Sequence, residues 1–379
     1  MTRPARILHL HSSFSLGGKE ARAVRLMNAW EGRAEHRIMS GAPDQLGARE
    51  AIAPGVAVGF PTDAPALAGR PSLARYRQLA AYMKYFDLVL SYNWGAMDGA
   101  MAHRLFARSM KLPPLIHHED GFNSDEVNGL KAGRNLFRRL GLSSAHALVV
   151  PSEKLQRIAV RAWRQSVGRI RLISNGIDVA RYGVPAEAHA IPGLVRTPGK
   201  LLVGTLAGLR PVKNLPRLVR AVAAQKDRFQ LVIIGEGPER NAVIAEASAC
   251  GLDDIHLPGF MAEPFRFIGI FDMFALSSDS EQFPISLVEA MAAGLAAVTT
   301  DVGDVASMVA EENRPFIVPV GDERAFAEAL GKLGGDGQLR KAVGAANREK
   351  ARRAFAEADM IRAYAELYGE ALGRPDALL

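Results

Sequence analysis

The chain of 379 residues contains one cysteine, Cys250. A lone thiol closes no intrachain disulfide, so the cross-linked scaffolds of small secreted domains are excluded and a reducing cytoplasm is the expected compartment. No apolar run nears the ~18 residues that a bilayer-spanning helix needs. The first ten residues hold Arg3 and Arg6, a short apolar stretch and no small-residue cleavage pattern, and are expected to form a first strand rather than a secretion signal. A G-x-G-x-x-G turn after that strand is also missing. The later Gly235-Glu236-Gly237-Pro238 does not complete one, which argues against a nicotinamide-dependent dehydrogenase. There is no compact nucleic-acid motif, so nucleic acid is not an expected partner.

The composition that is present, 48% hydrophobic and 23% charged, belongs to a soluble globular protein, and the length suits two α/β domains. The net charge of +7 points to anionic partners, either a phosphorylated substrate or an anionic membrane surface. Lys131, Arg134, Arg138 and Arg139 fall together in one helical pattern.

Short β-rich runs alternate with helical stretches, the pattern of parallel sheets covered by helices on both faces. In the first half the expected strands are 6–11, 36–40, 87–92, 114–118, 147–151 and 170–174, with helices near 20–30, 72–85, 96–109, 129–140 and 152–164. Between 175 and 200 the chain is dense in glycine and proline, as in a linker or an edge loop. A second set follows at 201–206, 230–234, 255–257, 273–277, 296–300 and 315–318. The expected fold is therefore α/β, two doubly wound Rossmann-like domains facing a central cleft, divided near residue 190 into 1–190 and 191–354. The one-faced helical pattern within 355–379, with Ile361, Tyr364, Leu367 and Tyr368, is expected to pack back on the first domain. Ligands in such sheets sit beyond the carboxyl ends of the strands.

The segment Ser280-Glu281-Gln282-Phe283-Pro284-Ile285-Ser286-Leu287-Val288-Glu289 follows an apolar strand and runs into a helix. Pro284 suits a first helical turn, and the backbone at Phe283, Pro284, Ile285 and Ser286 is placed to offer donors to an anion or to sugar hydroxyls. A carboxylate accepting two hydrogen bonds suits a vicinal diol, so one of Glu281 and Glu289 can hold a ribose and the other a hexose. On spacing alone both are equally well read as ordinary helix carboxylates. Gly17-Gly18 after the first strand allows close backbone approach to a phosphate or sugar, or simply makes a turn. In His117-His118-Glu119, strand alternation puts His117 and Glu119 on one face and His118 on the other. Adjacent histidines point apart and no further ligand can be assigned, so no metal site is expected. Asp98, His103, Asn123 and Asp125 are polar residues of the first half that could line the site, although helix surfaces and loop caps explain them as well. Trp94 is a candidate platform for acceptor stacking.

The E-x7-E segment, with the Ala-Met-Ala-Ala-Gly that follows, resembles retaining glycosyltransferases of family 4 (group 1). So, in the same order along nearly the whole chain, do Gly17-Gly18-Lys19-Glu20, Asn175-Gly176-Ile177-Asp178, Leu209-Arg210-Pro211-Val212-Lys213-Asn214 and Gly235-Glu236-Gly237-Pro238. The resemblance implies a GT-B enzyme moving a sugar, with retention, from a nucleoside diphosphate sugar to a hydroxyl acceptor. It implies that Lys213, expected to open a helix after the 201–206 strand, meets the donor diphosphate. The family's arginine five or six residues earlier is replaced here by Ala207 and Gly208, and Arg210 stands in for it. Gly235, Gly237, Glu289 and residues 283–286 fall on the donor side; Gly17, Gly18 and Glu119 fall on the acceptor side.

A histidine at the 114–118 strand end is implied to touch the transferred sugar or the acceptor: His117, with His118 as the alternative. Glu281 is a positioning residue, or a base. No cofactor or metal is implied. A saccharide or lipid-linked saccharide acceptor in cell-surface polysaccharide synthesis, at the inner face of the cell membrane, is the expected setting. A nucleotide-sugar epimerase of the same architecture and a non-catalytic GT-B scaffold are the rival readings.

Overall fold

The computed structural model describes residues 3–15, 17–121, 126, 130–187 and 189–379. The chain forms two compact units, one of residues 1–175 with 358–379 and one of residues 176–357.

The first unit carries a seven-stranded parallel sheet in the order β3-β2-β1-β4-β5-β6-β7. Its strands are β1 (Ala5–His11), β2 (Ala34–Ser40), β3 (Ala57–Gly59), β4 (Leu88–Tyr92), β5 (Leu115–His118), β6 (Ala147–Val150) and β7 (Ile170–Leu172). Alternate side chains of one strand enter different cores, as a sheet covered on both faces requires. Leu8 and Leu10 pack with Leu79, Met83, Val89 and Leu148. Ala5 and Ile7 face the other way, against Leu26, Trp30, Tyr364 and Tyr368. The last two belong to the C-terminal helix Glu357–Ala371, whose apolar stripe thus completes the first unit's core. Each fully buried Leu or Ile contributes about 1.5–3 kcal/mol relative to exposure.

The second unit has a six-stranded parallel sheet, β10-β9-β8-β11-β12-β13. Its strands are β8 (Leu201–Leu206), β9 (Phe229–Ile234), β10 (Ile255–Gly259), β11 (Met273–Leu276), β12 (Ala297–Thr300) and β13 (Ile317–Val318). On β9, Leu231 and Ile233 pack with Leu218, Val222 and Phe326, whereas Val232 and Ile234 pack with Phe274, Leu287 and Met291.

The division between units falls at residue 175, not near 190. Residues 176–190 belong to the second unit because Ile177 donates to Phe355 O at 3.0 Å and accepts from Glu357 N at 2.9 Å. Ile177 and Tyr182 are also buried in that unit's core. Of the two readings of the glycine- and proline-rich stretch, the loop holds at its start: Ile177 and Tyr182 strap it onto this core.

Strand order reverses direction between β1 and β4 in the first sheet and between β8 and β11 in the second. At such switch points adjacent loops leave in opposite directions and open a crevice at the strand ends. That geometry selects the loops following β8 and β11, and those following β1 and β4.

Candidate functional site

In the second unit the loop after β8 carries Arg210 and Lys213, and the loop after β11 carries Glu281. The two loops are stitched together. Asp279 N donates to Val212 O at 2.8 Å, Ser277 Oγ donates to Lys213 O at 3.0 Å, and Arg217 pairs with Asp279 at 2.8 Å. The result brings Lys213 Nζ to 2.5 Å from Glu281 Oε1, which also accepts from Ser278 Oγ at 2.7 Å. Both charged side chains are largely sheltered, at 16% and 12% exposed. In that setting their attraction is screened less than on an open surface.

Lys213 does not open a helix. It ends a 3₁₀ turn, Pro211–Lys213, and Asn214, in the left-handed conformation, caps the helix Leu215–Ala223 by accepting from Arg217 N at 3.4 Å. Arg210 is exposed, and its guanidinium forms no ion pair with a carboxylate among the described residues.

Pro284 is the N-cap of the helix Ile285–Ala292 rather than a residue of its first turn. The reason is that Pro284 O accepts from Leu287 N at 3.1 Å, which starts the helix one residue later. The first-turn amides of Ile285 and Ser286 have no intrahelical acceptor by helix geometry, and the helix dipole adds partial positive charge there. Phe283 packs edge-on against Phe355 at 5.5 Å, so its ring is part of the support under this helix start. Glu289, farther along the same helix, accepts from Tyr182 Oη at 3.0 Å.

Gly235 and Gly237 follow β9 and have φ of +145° and +156°. A Cβ on Gly235 would lie 1.9 Å from Ala207 O, and one on Gly237 would lie 2.4 Å from Leu209 O. Leu209 N donates to Glu236 O at 2.9 Å. These glycines therefore let one loop lie against the backbone that leads to Arg210 and Lys213; their observed contacts are to that loop. A third layer was not read from the sequence: Thr300 Oγ1, at the end of β12, donates to Ser278 O at 2.6 Å, and Asp304 N donates to Gln282 O at 3.3 Å. Hydroxyls at strand ends carry no distinctive spacing, and only the sheet order places Thr300 beside the Glu281 loop.

In the first unit, Gly17 is the N-cap of the helix Gly18–Ala29 and both glycines are exposed. Lys19 and Glu20 pair in its first turn. Arg22, one turn on and buried, donates to Asp120 at 2.8 Å and to Asn175 at 2.9 Å.

Alternation along β5 separates the two histidines as expected. His118 faces the C-terminal helix: its Nε2 lies 2.7 Å from Tyr368 Oη, its Nδ1 is 3.3 Å from Ser91 O, and its ring stacks on Tyr92. Both nitrogens are engaged in the core, which removes His118 as the alternative. His117 is also fully buried, with Nδ1 2.8 Å from Ser91 Oγ and Nε2 3.8 Å from Glu119 Oε2. Its Nε2 and Glu119 Oε1 have no hydrogen-bond partner among the described residues. Buried polar atoms left in that state usually mark a ligand, water or proton site. Glu119 Oε2 accepts from Arg138 Nε at 3.0 Å, and Arg138 reaches Glu126 at 3.2 Å. Burial pushes the Glu126 carboxyl up, but hydrogen bonds from Arg138 and Arg134 outweigh it and hold it below the usual range.

Trp94 is not an open platform, since Arg134 and Arg138 lie 4.9 and 5.0 Å from its ring. Asp98 is held by Arg75 and by Tyr76 Oη at 2.9 Å, and His103 Nε2 by Pro113 O at 2.9 Å, so both are structural. Asn123 and Asp125 lie outside the described residues.

A cluster of buried imidazoles was also missed. His9 Nε2 is 3.0 Å from His36 Nδ1, His9 Nδ1 is 3.2 Å from Tyr92 Oη, and His11 stacks on Tyr92 at 4.0 Å. Burial lowers all of them together with His118, His36 to about 4, so they are neutral at pH 7.

Residues 16–181 match the model described as Glycosyltransferase Family 4, and residues 191–350 match that of Glycosyl transferases group 1. A Campylobacter jejuni protein named N-acetylgalactosamine-N,N'-diacetylbacillosaminyl-diphospho-undecaprenol 4-alpha-N-acetylgalactosaminyltransferase is 31% identical over 266 residues, 68% of each chain. A D-inositol 3-phosphate glycosyltransferase of Nocardia farcinica is 26% identical over 274 residues, 66% of this chain. The match takes in 59% of the Nocardia protein, and one to the EpsF glycosyltransferase of Bacillus subtilis takes in 53% of that relative. Among solved structures, Anabaena Alr3699/HepE in complex with UDP superposes with a TM-score of 0.80 at 18% identity, over 96% of this chain and 100% of that one. Sucrose-phosphate synthase from Thermosynechococcus elongatus gives 0.76 at 18% identity, over 97% and 99%. At such identities the likeness speaks for the fold, which is that of GT-B enzymes with two Rossmann-like domains. The chain belongs to the group 1, family 4 glycosyltransferases.

Proposed function

We propose that this protein transfers a sugar from a nucleoside diphosphate sugar to a hydroxyl of a saccharide acceptor, with retention at the anomeric carbon. The observation that carries the reading is the convergence of Lys213, Glu281 and the start of the helix Ile285–Ala292 at the switch point between β8 and β11. A cation, a carboxylate and uncommitted amides at strand ends suit a diphosphate joined to a polyhydroxylated group.

In this reading the second unit binds the donor. Lys213, Arg210 and the amides of Ile285 and Ser286 take the charge that grows on the departing diphosphate, so that the proposal draws on no metal or cofactor. Glu281 positions Lys213 and accepts from the donor sugar's hydroxyls; Glu289 accepts from the ribose. The bond from the anomeric carbon to the phosphate oxygen breaks as the bond to the acceptor oxygen forms on the same face. The acceptor proton passes to the departing phosphate oxygen, and no enzymic nucleophile is used. His117 and Glu119, with Gly17 and Gly18, are assigned to the acceptor, with His117 contacting the transferred sugar. Gly235 and Gly237 act by shaping the Arg210–Lys213 loop.

The Anabaena protein's complexes with UDP and with UDP-glucose support a uridine donor. The diphospho-undecaprenol in the Campylobacter relative's name supports a lipid-linked acceptor in polysaccharide or glycolipid assembly on the cytoplasmic side of the membrane. The test is a thermal-shift panel of nucleoside diphosphate sugars, followed by the anomeric proton coupling of the product made from the winning donor. Stabilisation by one donor and a product of unchanged anomeric configuration are expected; an inverted product overturns the mechanism.

A further inference from the structure

Residues 176–187 are pinned to the second unit near both ends. At one end Ile177 is bound to residues 355–357 through its N–H and its carbonyl, as a parallel bridge. At the other, Glu187 N donates to Arg266 O at 2.9 Å, and the Glu187 carboxylate pairs with the Arg266 guanidinium at 2.9 Å. Between these anchors Arg181 N donates to Asp178 O at 3.2 Å and Gly183 N donates to Ala180 O at 3.1 Å, which closes the 3₁₀ turn Arg181–Gly183. The backbone at Tyr182 is fixed by its neighbours on either side.

Tyr182 enters the core from this turn. It is 8% exposed and lies in the cluster that holds Leu287 and Val288 of the helix Ile285–Ala292. Its ring meets Phe265 edge-on with centroids 6.2 Å apart, and the Arg181 guanidinium covers the Phe265 ring at 3.6 Å. Arg181 is held in turn by Glu263 at 3.2 Å. A phenylalanine would fill the same space, so packing alone does not call for the hydroxyl. That hydroxyl donates to Oε1 of Glu289, 107 residues further along the chain, at 3.0 Å. Glu289 is half-buried on the helix that begins at the Lys213–Glu281 site.

We infer that Tyr182 is a positioning residue for the donor's ribose: it holds the Glu289 carboxylate in the orientation that a vicinal diol meets. The phenol takes one of the roughly four acceptor positions of a carboxylate and so fixes its plane. A glutamate without that anchor must be immobilised when the diol binds, which costs about two- to ten-fold in affinity. The turn Arg181–Gly183, the Phe265 ring and the two pinned ends keep the phenol in place, so the carboxylate is oriented before the donor arrives. The inference deepens the transferase reading and rests on its assignment of Glu289 to the ribose.

The test is calorimetric titration of the full chain, as wild type, Tyr182→Phe and Glu289→Ala, with UDP, GDP and ADP, each beside its 2′-deoxy and 3′-deoxy forms. The wild type should bind one of the three about ten- to a hundred-fold more tightly than its deoxy forms, since each missing hydroxyl removes a hydrogen bond to a charged group. Glu289→Ala should erase most of that preference. Tyr182→Phe should reduce it by about two- to ten-fold and leave the affinity for the deoxy forms at the wild-type value, which also counts the folded sites. A tyrosine that only supports the fold would weaken ribose and deoxy forms alike, or neither. Either of those results would overturn the inference and leave the ribose assignment standing. A wild type without the preference, or Glu289→Ala with the preference intact, would overturn the ribose assignment and the inference with it.

Discussion

Lys213 Nζ and Glu281 Oε1 lie 2.5 Å apart across the switch point of the second sheet. A diphosphate that pairs with this ammonium competes with a carboxylate already holding it. Glu281→Gln keeps the shape and the Ser278 contact but removes the competing charge. It should therefore bind a free nucleoside diphosphate about two- to ten-fold more tightly while slowing sugar transfer, since at partly sheltered sites such a charge contact is on the order of 1 kcal/mol. Calorimetric titration and initial rates on one preparation check both halves. Weaker diphosphate binding would assign Glu281 a direct role in holding the nucleotide.

The loop that carries Lys213 depends on the glycines packed against it. Gly235→Ala would place a Cβ at 1.9 Å from Ala207 O on a backbone with φ of +145°. Neither the carbonyl nor the dihedral can yield cheaply, so a loss of about 3 kcal/mol or more is expected. Denaturant unfolding should show a lowered midpoint, and donor affinity should fall with it because the loop moves. Gly199→Ala serves as the comparison: its φ is +79°, but nothing lies within 4 Å of the added Cβ, so only the smaller conformational cost applies.

The buried imidazoles make the first unit acid-sensitive. Their folded pKa values are depressed by burial, with His9, His11 and His118 well below the ordinary 6.5 and His36 near 4. The unfolded chain thus takes up protons first, and the stability held above pH ~6.5 is lost as pH falls toward 4. The slope approaches about 1.4 kcal/mol per pH unit for each histidine that remains neutral in the fold. Urea midpoints measured between pH 7.5 and 4.5 should fall accordingly. His36→Phe, which keeps a ring without a titrating group, should flatten the curve.

Arg138 is enclosed between Trp94 and Trp163, about 5.0 Å from each ring, and neutralises Glu119 and Glu126. Arg138→Ala would leave buried Glu119 without its cation, and Glu126 with Arg134 alone, at a cost of roughly 3–5 kcal/mol. A fall of about 10 °C in the melting temperature of the chain is expected. The exposed neighbour Arg139→Ala should change it by no more than about 1–2 °C.

How far the sequence could be read follows from how each element buries its side chains. Strands of both sheets are continuous apolar runs because helices cover both faces, and that pattern stands out without any partner. β3 does not: Ala57-Val58-Gly59 is an edge strand of three residues with little to bury. The helix Gly337–Ala354 also escapes a search for apolar stripes, because its buried face includes Gly344 and Asn347, the latter donating to Leu295 O at 2.9 Å. At the site, Glu281 was legible by its spacing from Glu289, and Lys213 through the family resemblance. Their pairing was not, since only the order β8-β11 brings two loops so distant in sequence together. Gly235 and Gly237 are less legible still. A glycine that lets two backbones touch and one that lets a phosphate approach are identical in sequence, and the 1.9 and 2.4 Å distances from an added Cβ show the first of these. His9 and His11 were not singled out in the sequence; their rings lie against His36 and Tyr92, neighbours that only the strand order β2-β1-β4 supplies.

The most direct test of the account is calorimetric titration of the wild type and of Lys213→Ala with a nucleoside diphosphate, with circular dichroism confirming that both are folded. If the Lys213 loop of the second unit holds the donor's diphosphate, removal of the ammonium should weaken binding by about ten- to a hundred-fold. Equal affinity of the two proteins would place the diphosphate elsewhere and contradict the assignment of this site.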